Sequence, residues 1–110
     1  MPEFRHANSV EVEASDRGWA LATLADRRHV PGLPMMARRW QLGPRGSTPE
    51  QPGREGVERF LYVISGEGRV KARDQVFDVA REDVLWLEPA DHFELAAGER
   101  GLQVLEAISG

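Results

Sequence analysis

The chain has no cysteine, a single lysine and only three histidines among its 110 residues. Without cysteine there is no disulfide framework and no thiolate metal site, and nothing points to an oxidising compartment. A cytoplasmic location is the default expectation. Long hydrophobic runs are missing too: no apolar stretch spans a bilayer, and the N-terminus lacks the basic-then-apolar pattern of a signal peptide. Nor is there a surplus of one charge to make a basic face. The 14 basic residues are scattered among 18 acidic ones for a net charge of −4, which argues against nucleic acid as a partner. Lys71 is the only lysine, so thirteen of the cations are arginine. Codon bias in a GC-rich genome accounts for that blandly. The functional reading is that one or two arginines enter a pocket and grip a carboxylate or phosphate with their planar fork.

What is present is a series of short apolar segments punctuated by glycine, proline and aspartate. The length allows one domain and one core. Residues 1–8 read as an N-terminal tail and 9–110 as the folded domain. The organising stretch is Val57 to Arg69, VERFLYVISGEGR. It reads as a strand, Val57 to Ser65, with Phe60, Tyr62 and Ile64 on one face and Leu61 and Val63 on the other. Apolar residues on both faces predict a strand covered on both sides. Gly66-Glu67-Gly68 predicts a tight hairpin turn into a second strand, Arg69 to Arg73.

Ahead of this, Ser9 to Ala14 alternates valine with glutamate as a half-buried strand does. Trp19 to Leu24 fits either a short extended piece or one helical turn. Asp26 to Pro34 is a loop, and Met35 to Leu42 a strand with Met36, Arg38, Trp40 and Leu42 on one side. Gly43 to Gly56, with four glycines and three prolines, is the longest irregular segment, and such loops are usually functional or disordered. Beyond the central stretch, Asp74-Gln75 turns into Val76 to Val79, then come Val84 to Leu87 and His92 to Ala96. Gly98 to Gly101 reads as a turn and Leu102 to Ile108 as the closing strand. Short strands with no amphipathic helix predict an all-β sandwich or barrel. Closure or stacking is what hides so many strand edges in so small a protein.

The order of a glycine–proline loop, an apolar strand, G-E-G, a strand, D-V-L-W-L-x-P and a strand resembles a small single-domain cupin with degenerate metal-binding motifs. The resemblance covers about Met35 to Ile108 and implies a single-domain jelly-roll β-barrel. Cupins commonly pair through an N-terminal strand and an outer sheet face, so a homodimer is the implied assembly, with Ser9 to Ala14 as the segment expected to exchange. The first cupin motif is usually written G-x5-H-x-H-x3,4-E-x6-G. Counting back from Gly66, Arg59 stands at the glutamate position, and Pro52 and Arg54, or Gly53 and Glu55, stand at the histidine positions. Proline, glycine and arginine side chains do not ligate a metal, and arginine repels a cation.

Two readings of the barrel mouth follow. In the first there is no cofactor: Arg38 and Arg59 supply the positive charge, Gln51 adds an amide, His92 lies nearby, and Trp40, Tyr62 and Trp86 line a cavity for a small anionic molecule. The bland version is that each arginine pairs with Glu58, Glu94 or Asp91 at the rim, and that the aromatics are core. In the second reading a divalent metal (Fe, Mn, Ni or Zn) binds through His92 with Glu50, Gln51, Glu55 or Glu58, in a dioxygenase- or isomerase-type enzyme. His92 also reads simply as a strand-start histidine bonded to backbone or water. His6 and His29 carry no role. A Ser65–His92–Asp91 set fails because adjacent residues 91 and 92 point to opposite faces, and nothing singles out Glu88 and Glu94 as an acid–base pair.

Overall fold

A computed structural model describes residues 12–25 and 35–109. Its seven strands are β1 (Val12–Ala14), β2 (Trp19–Ala25), β3 (Met35–Leu42), β4 (Glu58–Ala72), β5 (Gln75–Ala80), β6 (Val84–Leu87) and β7 (Phe93–Ser109). All pairings are antiparallel, in the order β1-β2-β3-β7-β4-β5, with β6 on β4. The open choice at Trp19 to Leu24 resolves as strand β2, where Leu21 faces the core opposite Trp40. Packing of that face overrides the helical preference of its alanines.

Two strands are long enough to belong to both layers of the barrel. The first half of β4 pairs with the second half of β7, Glu58↔Ser109 to Gly66↔Leu102, and carries β6 on its other edge. The second half pairs with the start of β7, Gly68↔Ala97 to Ala72↔Phe93, and carries β5. The expected G-E-G hairpin is therefore not a hairpin. The register slips between Val63 and Ser65 and again between Gly66 and Gly68, so the chain bends at a bulge and continues as one strand. Gly66 has φ +84°, and a Cβ there would lie 2.2 Å from the carbonyl oxygen of Gly101. The glycines let two crossing strands touch at a barrel corner. Gly98 to Gly101, expected as a turn, is the matching corner inside β7.

The real hairpin lies further on, at Arg73-Asp74, where Ala72 pairs with Gln75 and both turn residues have positive φ, 53° and 60°. That is the geometry of a two-residue type I′ turn, adopted here without glycine. Asp83 closes the β5–β6 turn, its carboxylate accepting from the Ala80 amide at 2.8 Å.

Alternation sorts the core. Leu61, Val63, Val70 and Ala72 of β4 point inward to Trp40, Leu42, Phe93, Leu95, Leu102 and Val104. Covering on both sides, expected for Val57 to Ser65, is not found: Phe60 is 36% exposed, and Tyr62 and Ile64 are only half-buried. The described residues cover one face of this strand and leave the other open.

Candidate functional site

At one end of the barrel the core stops being apolar. Glu106 on β7 sits directly opposite Arg38 on β3 and is fully buried. Its Oε1 accepts from Arg38 Nε at 3.0 Å and from Trp40 Nε1 at 2.9 Å, and Arg38 Nη2 lies 2.7 Å away. Its Oε2 accepts no hydrogen bond among the described residues, and the Nε of Arg59 on β4 lies 4.0 Å from it. The register explains the convergence. Glu106 lies on the strand between β3 and β4, and alternation turns Arg38, Arg59 and Glu106 to the same inward side.

The two guanidiniums are held differently. Arg38 is 24% exposed at its side chain and stacks over the Trp40 ring at 5.5 Å. Arg59 is nearly buried and lies 5.5 Å from the Phe93 ring centroid, and its Nη2 donates to the carbonyl oxygen of Pro52. Burial lowers the Arg59 pKa below its ordinary value; Glu106 raises it, and Arg38 and Arg54 lower it further. Opposite charge thus only partly offsets the desolvation of this cation.

The loop 43–57 reaches across the same opening and is tied down rather than free. Thr48 is buried, its amide donating to the Leu95 carbonyl at 2.9 Å and its hydroxyl accepting from the Leu95 amide at 3.1 Å. Gln51 exchanges backbone bonds with Phe93, at 2.7 and 3.0 Å. Between loop and barrel lies a cavity of about 340 Å3, lined by Met36, Arg38, Gln51, Pro52, Arg54, Arg59 and their neighbours. Arg54 forms no ion pair among the described residues, so three guanidiniums face this space with one carboxylate beneath them.

Of the residues singled out from the sequence, Arg38, Gln51 and Arg59 come together at this cavity, and Trp40 lies below it. Tyr62 and Trp86 are elsewhere: both lie on the outer face of the sheet, where Trp86 is 58% exposed and meets Phe60 edge-to-face at 6.1 Å. His92 is on the rim, exposed, with Nδ1 3.1 Å from Glu50 Oε1. Glu55 and Glu58 are exposed and do not line the cavity. Rim pairing with Glu58, Glu94 or Asp91 is replaced by the buried Glu106; Asp91 instead pairs with Arg73 at 2.8 Å and accepts from the Glu88 amide. Glu106 is the site residue that the sequence does not single out. Its signal was a carboxylate sharing the parity of Leu102 and Val104 in the closing strand.

Cupin folds imply a metal at this mouth. Among the described residues no three histidine, aspartate or glutamate side chains are grouped to hold one. Glu106, the carboxylate beneath this cavity, is already engaged by guanidiniums, and these side chains do not make a cation site.

No family model matches the sequence, and no curated protein matches it either. Solved structures do. A predicted oxalate decarboxylase from Thermotoga maritima aligns with TM-score 0.82 and 16% identity over 97% of this chain and 98% of its own. KdgF from a Halomonas species aligns with TM-score 0.79 and 14% identity over 99% and 94%. A cupin-2 domain protein from Rhodospirillum rubrum aligns with TM-score 0.78 and 17% identity over 99% and 74%. Identities this low bear on the fold alone. This chain has the cupin jelly-roll fold.

Proposed function

We propose that the chain is a metal-free binding protein that holds a small organic anion at the mouth of its barrel, acting as a sensing or accessory module. The observation that carries this reading is the charge balance of the cavity: Arg38, Arg54 and Arg59 against the single carboxylate of Glu106. A guanidinium in a partly dry cleft is incompletely solvated, and a carboxylate ligand replaces the lost water with charge-assisted hydrogen bonds. Arg38 and Arg59 are the anchoring cations. Gln51 lies on the wall, and Trp40 fixes the Glu106 carboxylate below. No cofactor is part of this reading, and no catalytic step is assigned.

The test combines metal analysis of untagged protein with melting measured across small carboxylates at low salt. The proposal expects no stoichiometric metal and a rise in the melting midpoint with carboxylate, since a ligand specific to the folded state must raise it. Stoichiometric iron, manganese, nickel or zinc would refute it and favour the alternative, a metal-dependent cupin enzyme of dioxygenase or isomerase type. What supports that alternative is the His92–Glu50 contact, at a rim where both side chains are more than half exposed.

A homodimer is proposed on a separate observation. Across four adjacent strands the outer face presents Ala37, Ala107, Phe60 and Trp86 in one row and Arg39, Leu105, Tyr62 and Val84 in the next. Met35, Phe60, Val84 and Trp86 all remain exposed there. A contiguous apolar sheet face of this kind is normally covered by a partner, and stacking two copies about a two-fold axis covers both at once. For location, no helix among the described residues is long and apolar enough to cross a membrane; a cytoplasmic setting is proposed from the lack of cysteine.

A further inference from the structure

The arginines of the barrel mouth converge on one space, which narrows the ligand class on the anion-binding reading above and rests on that reading. Arg38 and Arg59 come from strands β3 and β4 and meet over Glu106. Arg54 belongs to the loop. Arg59 reaches that same loop, its Nη2 donating to the carbonyl oxygen of Pro52, two residues before Arg54. The charge of Arg54 in turn acts on Arg59, lowering its pKa, which agrees with their nearness. All three residues line one cavity of about 340 Å3.

Their donors outnumber the acceptors that the protein supplies. Arg38 directs Nε and Nη2 to Oε1 of Glu106, which leaves its Nη1 uncommitted among the described residues. Arg59 gives one bond to a neutral carbonyl and stands 4.0 Å from Oε2, too far for a hydrogen bond. Arg54 has no carboxylate partner among the described residues. Glu106 therefore answers one of three positive charges gathered at one place. A carboxylate ligand has two oxygens, and a single guanidinium fork fills them. A phosphate monoester carries nearly two charges and presents three oxygens in different directions, so it accepts from both strands and from the loop at once. The volume falls in the range of small-molecule sites, roughly 300–1,000 Å3, and admits an organic remainder beside the phosphate. Met36, Val57 and Ile108 also line the cavity and offer no side-chain hydrogen bond to a polar remainder. We infer that the ligand is the phosphate monoester of a small, largely apolar alcohol, with its phosphate gripped jointly by Arg38, Arg54 and Arg59.

The experiment is titration calorimetry at low ionic strength, where charge contacts are least screened, and at about pH 8, where a phosphate monoester is a dianion. The probes are propyl phosphate, methyl propyl phosphate (one charge fewer) and butyrate (a carboxylate of similar length). Propyl phosphate is expected to bind about tenfold or more tightly than either of the others, the gain of at least one further charge-assisted hydrogen bond. Arg54→Gln should weaken propyl phosphate by about tenfold and butyrate by about threefold or less. Arg100→Gln, which removes an exposed cation outside this cavity, should leave all three affinities in place. Butyrate bound as tightly as propyl phosphate would overturn the phosphate assignment and leave the anion reading intact. Equal binding of the monoester and the diester would overturn the call for a second charge. Undiminished binding of propyl phosphate by Arg54→Gln would overturn the joint grip, and no binding of any probe would overturn both readings.

Discussion

Replacing Glu106 with glutamine tests the internal logic of the barrel mouth most directly. The substitution keeps shape and volume and removes one negative charge. In the parent protein that charge accepts from Arg38 and from the Trp40 indole and is the counter-ion nearest to Arg59. An amide oxygen can keep one or two of the hydrogen bonds but not the neutralisation. Losing one member of a fully buried ion pair costs about 3–5 kcal/mol. Here Arg38 is 24% exposed and Arg59 9%, so water screens part of the loss and the lower end applies, about 3 kcal/mol. In a domain of this size that lowers the melting midpoint by about 13 °C. Urea unfolding followed by tryptophan fluorescence, with a thermal melt alongside, measures both quantities. A second comparison isolates the cause. Arg38→Gln alone should also destabilise, and in the double variant the loss should be smaller than the sum by about 1–3 kcal/mol, because neither residue leaves the other charged and unpaired. Propyl phosphate should also stabilise Glu106→Gln more than the parent, since an external anion replaces the missing charge. A Glu106→Gln protein within about 0.5 kcal/mol of the parent, or strict additivity with Arg38→Gln, would show that the buried charges are not coupled as argued.

Further outcomes follow from other parts of the structure. Gly66→Ala places a Cβ 2.2 Å from the Gly101 carbonyl oxygen at φ +84°, so a loss of at least about 2 kcal/mol, or failure to fold, is expected in denaturant titration. Trp86→Lys puts a charge on the apolar outer face at its most exposed aromatic residue. Light scattering coupled to gel filtration should show a dimeric parent and a monomeric variant, with secondary structure by circular dichroism unchanged. His92→Ala removes one exposed rim contact with Glu50, and urea titration should find stability within about 0.5 kcal/mol of the parent. Metal content should be the same in that variant and the parent, measured by elemental analysis.

Much of the architecture could be read in the sequence because alternation and turn chemistry are local signals. Val70 and Ala72, and Trp40 and Leu42, each declare an inward face within a few residues, whereas Leu61 and Val63 are matched by equally apolar Phe60, Tyr62 and Ile64 on the other face. What stayed hidden depends on distant partners. Gly66 and Gly68 carry the composition of a hairpin, yet the close approach of Gly101 and Ala96 makes them a bulge in a continuous strand. The actual turn uses Arg73 and Asp74, one residue ahead of the Asp74-Gln75 turn read from the sequence; aspartate signals a turn, whereas Arg73 does not announce its left-handed conformation. At the site, Arg38 and Arg59 stood out as cations in apolar strands, whereas Glu106 looked like one more acid in an acidic protein. Its role required knowing that β7 runs between β3 and β4, a contact some 70 residues apart in sequence for Arg38. Tyr62 and Trp86 read as cavity residues from sequence because large aromatics in strands look the same from either face. Only the pairing of Phe60 with Trp86 and of Tyr62 with Val84 sends them outside.

That placement of Glu106 also bears on why an arginine is tolerable at a barrel mouth at all. A guanidinium as buried as Arg59 loses much of its hydration, and an aromatic neighbour and one backbone carbonyl do not replace it. A carboxylate at full burial has the complementary problem. Each makes the other admissible, and Arg38 with Trp40 saturates one carboxylate oxygen while leaving the second unbonded. The result is a cluster with one carboxylate oxygen fully engaged and a shortage of negative charge on the side of the cavity and Arg54. A fully paired cluster would be stable but inert toward a ligand. An unpaired arginine would attract anions at a large cost to folding. On the proposed reading, leaving most of the Arg59 guanidinium incompletely matched is an intermediate arrangement that would keep the barrel closed and the mouth receptive, with the anion drawn by the two arginines that tie β3 and β4 to Glu106 on β7.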